Sequence, residues 1–207
     1  MNIQAVITGD IVNSTRLTPA KEQRLVNQIT GIFGDNKSEF YRGDSFQAYI
    51  KKPSEALKLA LLCRAAAISL SKEAKEVPAD VRLSIGIAAV TVPVKLLKTA
   101  RGEAFVLSGR HFDEIVKREE RLIITTANAL ANTGLMVISD YVNSIFALMT
   151  GKQAEVIYEL LRGEKQKMVA KKLKKTKSTI HQRVTAGRWP EIEKLLKHYE
   201  TIITQLS

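Results

Sequence analysis

Ile3-Gln4-Ala5-Val6-Ile7-Thr8-Gly9-Asp10-Ile11-Val12-Asn13-Ser14-Thr15 opens the chain with an apolar run broken by a glycine and an acid. Ile3 to Ile7 reads as a buried central strand, and Asp10 stands just past it. The same combination returns in Phe40-Tyr41-Arg42-Gly43-Asp44-Ser45-Phe46. Phe46, Ala48 and Ile50 alternate with polar neighbours, so residues 40–50 read as two short strands around a turn at Arg42-Gly43-Asp44. A carboxylate this close to a buried strand needs a partner, because an unpaired buried charge is costly. A divalent cation can partner both at once, since Mg²⁺ is held by one or two carboxylates plus phosphates.

Working outward, Thr18-Pro19 is a good N-cap and first-turn pair. Leu25, Val26, Ile29, Ile32 and Phe33 follow at helical spacing, and Gly34 ends that helix. Ser54 starts a long apolar helix expected to reach about Lys75. Val81, Leu83, Ile85 and Ile87 alternate as a strand. A helix over 104–117, a strand over 122–126 and an apolar helical stretch over 127–150 complete the first part. The order strand, helix, hairpin, helix, strand, helix, strand predicts a mixed α/β sandwich of the palm-like kind.

Four of these segments resemble the class III nucleotide cyclase catalytic domain. Gly9-Asp10-Ile11-Val12-Asn13-Ser14-Thr15 is similar to the family's first metal motif, and Gly43-Asp44 to its second. Val81-Arg82-Leu83-Ser84-Ile85-Gly86-Ile87 is similar to its L-R-x-x-I-G-I strand. Gly102 to Arg110 is similar to its G-D-x-V-N-x-A-x-R segment. The resemblance covers residues 1 to about 120. It implies Mg²⁺ or Mn²⁺ on Asp10, Asp44 and the carbonyl of Ile11, and a nucleotide contacted by Arg42, Gly43 and Arg110. Two departures stand out: Val106 replaces the ribose-orienting Asn, and Phe40 replaces the purine-reading Lys. Loss of orienting groups slows phosphoryl transfer, which is mostly positioning and electrostatics, so the departures favour sensing over turnover. The whole chain resembles the SatD-like bacterial proteins, through the G-D-I-V start, the R-G-D-S-F-Q hairpin and a C-terminal helix-turn-helix.

That last element lies in the basic part of a 207-residue chain of net charge +11. Residues 162–188 hold 10 Lys and Arg against Glu164 alone, which is either the footprint of a nucleic-acid partner or a solvated basic face. Gln166 to Val184 resembles a helix-turn-helix of the form x-x-V-A-x-x-L-x-x-S-x-x-T-V-x-R. Ala170 lets its two helices approach, Leu173 and Ile180 fill their angle, and Thr176 or Ser178 caps the second. Lys174 falls where the pattern favours glycine, so a left-handed residue is expected there. In this reading Lys177, Ser178, Thr179, His181, Gln182 and Arg183 face the DNA major groove. Gln153 to Leu161 is a preceding helix, and Trp189-Pro190 opens a final amphipathic one.

The expectation is thus a palm-like α/β (α+β) cyclase-like domain over 1–150 and a small all-α helix-turn-helix domain over 151–207. The chain is read as a DNA-binding regulator with a metal and nucleotide sensor domain, working as a homodimer. An active metal-dependent phosphoryl-transfer enzyme and a non-binding dimerisation scaffold are the alternatives. One cysteine, no signal peptide and no apolar run of about 18 residues predict a cytoplasmic protein. Cys63 reads as a buried small hydrophobe, and the three histidines show no metal or catalytic spacing.

Overall fold

The structure is a computed structural model describing residues 3–41, 43–71 and 79–206. Five strands form one sheet: β1 (Ile3–Val12), β2 (Lys37–Tyr41), β3 (Ser45–Ile50), β4 (Asp80–Ala89) and β5 (Leu122–Thr126). Their order is β2-β3-β1-β4-β5, with β4 and β5 parallel and every other neighbouring pair antiparallel. Four helices belong to this part: α1 (Pro19–Phe33), α2 (Ala56–Ile68), α3 (Glu103–Arg118) and α4 (Ala129–Ala147). The expected order of elements is the observed one.

β1 is longer than its apolar run. It continues through Thr8, Gly9 and Asp10 to Val12 because β3 and β4 supply ladder partners on both sides. Gly9 is required for that close approach: a Cβ there would lie 2.7 Å from the Phe46 ring and 2.8 Å from the Arg82 carbonyl. Asp10 therefore lies inside a strand, opposite Ser45 and Arg82.

The pleat separates two faces. Ala5, Ile7, Ile11, Phe46, Ala48, Leu83, Ile85 and Ile124 join the main core with α1 and α2. Val6, Tyr49 and Ala88 form a smaller cluster with Val90, Val94, Leu97 and Ala104 on the other face. There α3 crosses β4 at Gly86, where a Cβ would lie 2.4 Å from the Ala104 carbonyl oxygen.

The remaining helices are α5 (Gly151–Leu161), α6 (Gln166–Lys172), α7 (Lys177–Ala186) and α8 (Trp189–Leu206). α5 packs against α2, which is buried nearly all round because the sheet covers one side and α5 another. Such a helix has no polar face to show. The main core runs without a break from Ala5 to Ile203. On α8, Ile192, Leu195, Tyr199 and Ile203 point into it, and the Tyr199 hydroxyl donates to the Pro53 carbonyl at 2.7 Å. Within the described residues α2 ends at Ile68 and a turn follows; its expected extension towards Lys75 falls on residues 72–78, outside the described part. Cys63 is buried, and burial pushes its thiol pKa far up.

Candidate functional site

Two turns place the paired acids. Gly43, at φ 87°, closes the β2–β3 hairpin immediately before Asp44. The Ile11 N–H donates to the Asp44 carbonyl at 3.0 Å, fastening the hairpin tip to β1 one residue beyond Asp10. After β1 the chain turns through left-handed Asn13 into a single 3-10 turn. That turn delivers Ser14, whose Oγ donates to Asp44 Oδ2 at 2.8 Å. Ser45 Oγ donates more weakly to Asp44 Oδ1 at 3.4 Å. Asp44 is thus held from both sides, and Asp10 is close enough for the two charges to interact.

Asp10 is less satisfied. Its Oδ2 lies 3.6 Å from Arg82 Nη1. Its Oδ1 is buried with no hydrogen-bond partner among the described residues, and so is Arg82 Nε. Burial raises the pKa of the Asp10 carboxyl above its ordinary 3.8; Arg82 opposes the rise, and the charge of Asp44 adds to it. The folded chain consequently holds this proton more tightly than the unfolded chain. Stability attached to Asp10 is full below pH 3.8 and is lost as pH climbs through the raised folded value. Asp10→Asn is therefore expected to melt above wild type at pH 7 in a chelating buffer, with the difference closing as pH falls below about 4. Melting curves of both proteins from acid to neutral pH test this; a variant that melts lower at pH 7 would refute it.

Asp10 and Asp44 offer the donor type that a divalent cation takes. The unpartnered buried Oδ1 of Asp10 is the kind of group a cation satisfies, and two carboxylates match the small protein contribution that Mg²⁺ takes. Among the described residues no group of three or more His, Cys, Asp or Glu gathers at a metal distance. Any ion here would need its remaining ligands from a bound phosphate or water.

The other expected nucleotide contacts fare differently. Gly43 is exposed at the hairpin tip beside Asp44, and Arg42 lies outside the described residues. Arg110 is exposed on α3. Ser108, two residues earlier, faces the sheet and accepts from the Thr8 hydroxyl at 3.1 Å, so Arg110 projects from the opposite side of the helix. The structure brings Asp10 and Asp44 together and leaves Arg110 apart from them. Arg82 escaped the sequence reading. The signal for it was the Asp10–Arg82 register, visible only once β1 is extended to Val12.

In the C-terminal part, α6 and α7 are joined by a short turn in which Lys174 has φ 51°, the expected left-handed conformation. The Thr176 hydroxyl caps α7 by accepting from the Thr179 N–H at 3.1 Å. Ile180 and Val184 are buried against the other helices. Lys177, Ser178, His181 and Gln182 are exposed, and Thr179 is half-buried with its hydroxyl against that of Thr176. Arg183 departs from expectation. It is turned inward, 16% exposed, with Nη1 3.7 Å from the Glu155 carboxylate on α5. It lies next to Val184, on the side of α7 that meets α5, and an acid waits there. Lys172 is likewise bound to Glu159 at 2.7 Å, so the free basic surface comprises Lys165, Lys167, Lys171, Lys174, Lys175 and Lys177.

No family model matches the chain, and no curated protein does. Among solved structures, it is similar to the non-canonical dimeric guanylyl cyclase domain of the RhoGC fusion protein from the aquatic fungus Blastocladiella emersonii. That match has 17% identity and a TM-score of 0.42, covering 55% of this chain and 74% of that one. A bacterial light-regulated adenylyl cyclase matches at 17% identity and a TM-score of 0.42, covering 59% of this chain and 75% of that one. These are nucleotide cyclase catalytic domains. At this level the likeness is a partial overlap of chain path and carries no function across.

Proposed function

We propose that the chain is a DNA-binding regulator whose palm-like part holds a nucleotide through Mg²⁺ or Mn²⁺. The observation that carries this reading is the meeting of Asp10 and Asp44, with a buried Asp10 oxygen that nothing in the described chain satisfies. Two acids drawn together at the rim of a sheet repel each other, and a cation between them turns that repulsion into a site. Asp10, Asp44 and the Ile11 carbonyl would hold the ion, and triphosphate oxygens would complete its shell. Gly43 and Arg42 are the proposed nucleotide contacts, and Arg110, on the far side of α3, leaves that set. Lys177, Ser178, Thr179, His181 and Gln182 are the proposed DNA contacts, with the exposed lysines of α6 and its turn on phosphates. Arg183 supports α7 through Glu155 and leaves that set. Both activities belong in the cytoplasm.

The test is a thermal-shift panel of nucleoside triphosphates, with and without Mn²⁺, on wild type and Asp44→Ala. A site filled to about 100 times its Kd adds ~2.7 kcal/mol, or roughly 5–10 °C in a chain of this size. Wild type is expected to show that rise only with metal, and Asp44→Ala to show none. If no nucleotide shifts wild type, the sensor reading falls and the scaffold reading takes its place. Metal-dependent product in the same tubes would make the chain an enzyme. On mixed-sequence DNA, Lys177→Ala should lower the slope of log affinity against log salt by about 1. An unchanged slope removes α7 from the DNA face.

A further inference from the structure

Among the described helices, α4 exposes the most large apolar side chains. On α4, Leu130 is 85% exposed, Val137 61% and Tyr141 37%, and Leu148 at its C-cap is 84% exposed. Positions 130, 134, 137, 141, 144 and 148 are spaced alternately four and three apart. That is the spacing of a seam along one side of a helix. Gly134 and Ser144 fill the two positions without a large side chain. The opposite side of α4, through Leu135, Ile138, Val142, Ile145 and Phe146, is already buried in this chain's own core.

The seam is symmetric about residue 139. Leu130 mirrors Leu148, Gly134 mirrors Ser144, and Val137 mirrors Tyr141. Two antiparallel copies of α4 crossing at that level would set leucine against leucine, small against small, and valine against tyrosine. A surface that complements itself in this way is what a two-fold contact requires.

Charge points the same way. Between Leu122 and Gly151 the sequence has one charged residue, Asp140, and no lysine or arginine, in a chain of net charge +11. Two copies of so basic a chain repel each other elsewhere, and α4 offers a face without that repulsion. Arg188 lies against Tyr141 near the middle of the seam, and its charge is already engaged: it stacks 5.1 Å over the Tyr141 ring, donates to the Tyr141 hydroxyl and pairs with Glu191. The extent suffices as well. Side chains of this size bury on the order of 100 Å² of apolar surface each. The four seam residues supply on the order of 400 Å². An interface of roughly 800 Å² per partner needs about that much at its centre. α8 forms one wall of the seam, since a Cβ on Gly134 would lie 3.2 Å from Ile202 Cδ1.

We infer that the exposed α4 seam is the homodimer interface, an antiparallel two-fold contact between α4 helices of two copies of this chain. The test is sedimentation equilibrium of the full chain at micromolar concentration. Wild type is expected at twice its 23.0 kDa mass, and Val137→Glu at once that mass with an unchanged circular dichroism spectrum. Orientation is read separately by disulfide trapping, with Cys63 buried out of reach. Mixing Leu130→Cys with Leu148→Cys protein should give a covalent dimer. Leu148→Cys alone should not, because its two copies would lie roughly 27 Å apart at 1.5 Å per residue. A monomeric wild type, a dimeric Val137→Glu, or a Leu148→Cys protein that cross-links to itself would each overturn the inference. Because mass and cross-linking are read without nucleotide or metal, the result stands apart from the fate of the carboxylate site.

Discussion

Arg64→Met is expected to destabilise the chain by about 3 kcal/mol, within the range of about 3–5 for breaking a buried ion pair from one side. Arg64 sits in the middle of α2 with no exposure. Its Nε and Nη2 donate to the two oxygens of Asp80 at 3.0 and 2.7 Å, and its Nη1 donates to Asn143 Oδ1 at 3.1 Å. Its guanidinium carbon lies 4.8 Å over the Phe146 ring. One side chain therefore joins α2 to the start of β4 and to α4. Methionine fills much of the volume and leaves the Asp80 carboxylate with the Val81 N–H at 2.7 Å and Arg121 at 4.0 Å as its remaining partners. The cost comes mainly from that stranded charge. Adding Asp80→Asn should therefore recover at least about 1 kcal/mol of the loss, as coupled neighbours do. Urea unfolding of the two single variants and the double variant decides the matter. A double variant no more stable than Arg64→Met would show that the pair is not coupled.

Gly86→Ala is the other substitution with a large expected effect. The new methyl would sit 2.4 Å from the Ala104 carbonyl oxygen and 2.6 Å from the Ser108 nitrogen. Both are helix backbone, so no rotamer change relieves the clash and α3 must lift off the sheet. Lifting it separates Ser108 from Thr8 and opens the cluster around Ala104. Overpacking typically costs about 1–3 kcal/mol and occasionally more, and a backbone clash belongs at the upper end. The urea midpoint should fall by a corresponding amount with an unchanged slope. Gly109→Ala, next to Ser108 on the same helix, is the control. Nothing lies within 4 Å of its Cβ, and exchanging a helical glycine for alanine gains up to ~1 kcal/mol. If both variants lose similar stability, tight packing of α3 at Gly86 is not the cause.

Where each residue's periodicity reports its own surroundings, the sequence was readable. Val81, Leu83, Ile85 and Ile87 alternate because one side of β4 meets the core, and Thr18-Pro19 marks the first helix with the cap it uses. Reading failed where the deciding partner is remote. Thr8, Gly9 and Asp10 have the composition of a strand end, yet Gln47, Phe46 and Ser45 on one side and Ser84, Leu83 and Arg82 on the other keep them extended. Nothing near Arg64 in the sequence points to its partners, because Asp80 and Asn143 lie 16 and 79 positions away. The acidic pair itself came from motif order, because Asp10 and Asp44 are 34 residues apart and no local pattern joins them. Arg183 read as a groove contact because of its place in the helix-turn-helix pattern. Glu155, on the preceding helix of the same bundle, claims it instead.

The burial of α2 on all sides has a practical consequence. Its alanines, Ala60, Ala65, Ala66 and Ala67, are all buried, and α5 packs against the helix. A fragment ending near residue 150 would bare a continuous greasy strip and lose the hydrogen bond from Tyr199 to Pro53. The basic helices expressed alone would lose the surface on which they rest. Neither half is a portable part, and this protein should be handled, and engineered, as one indivisible piece.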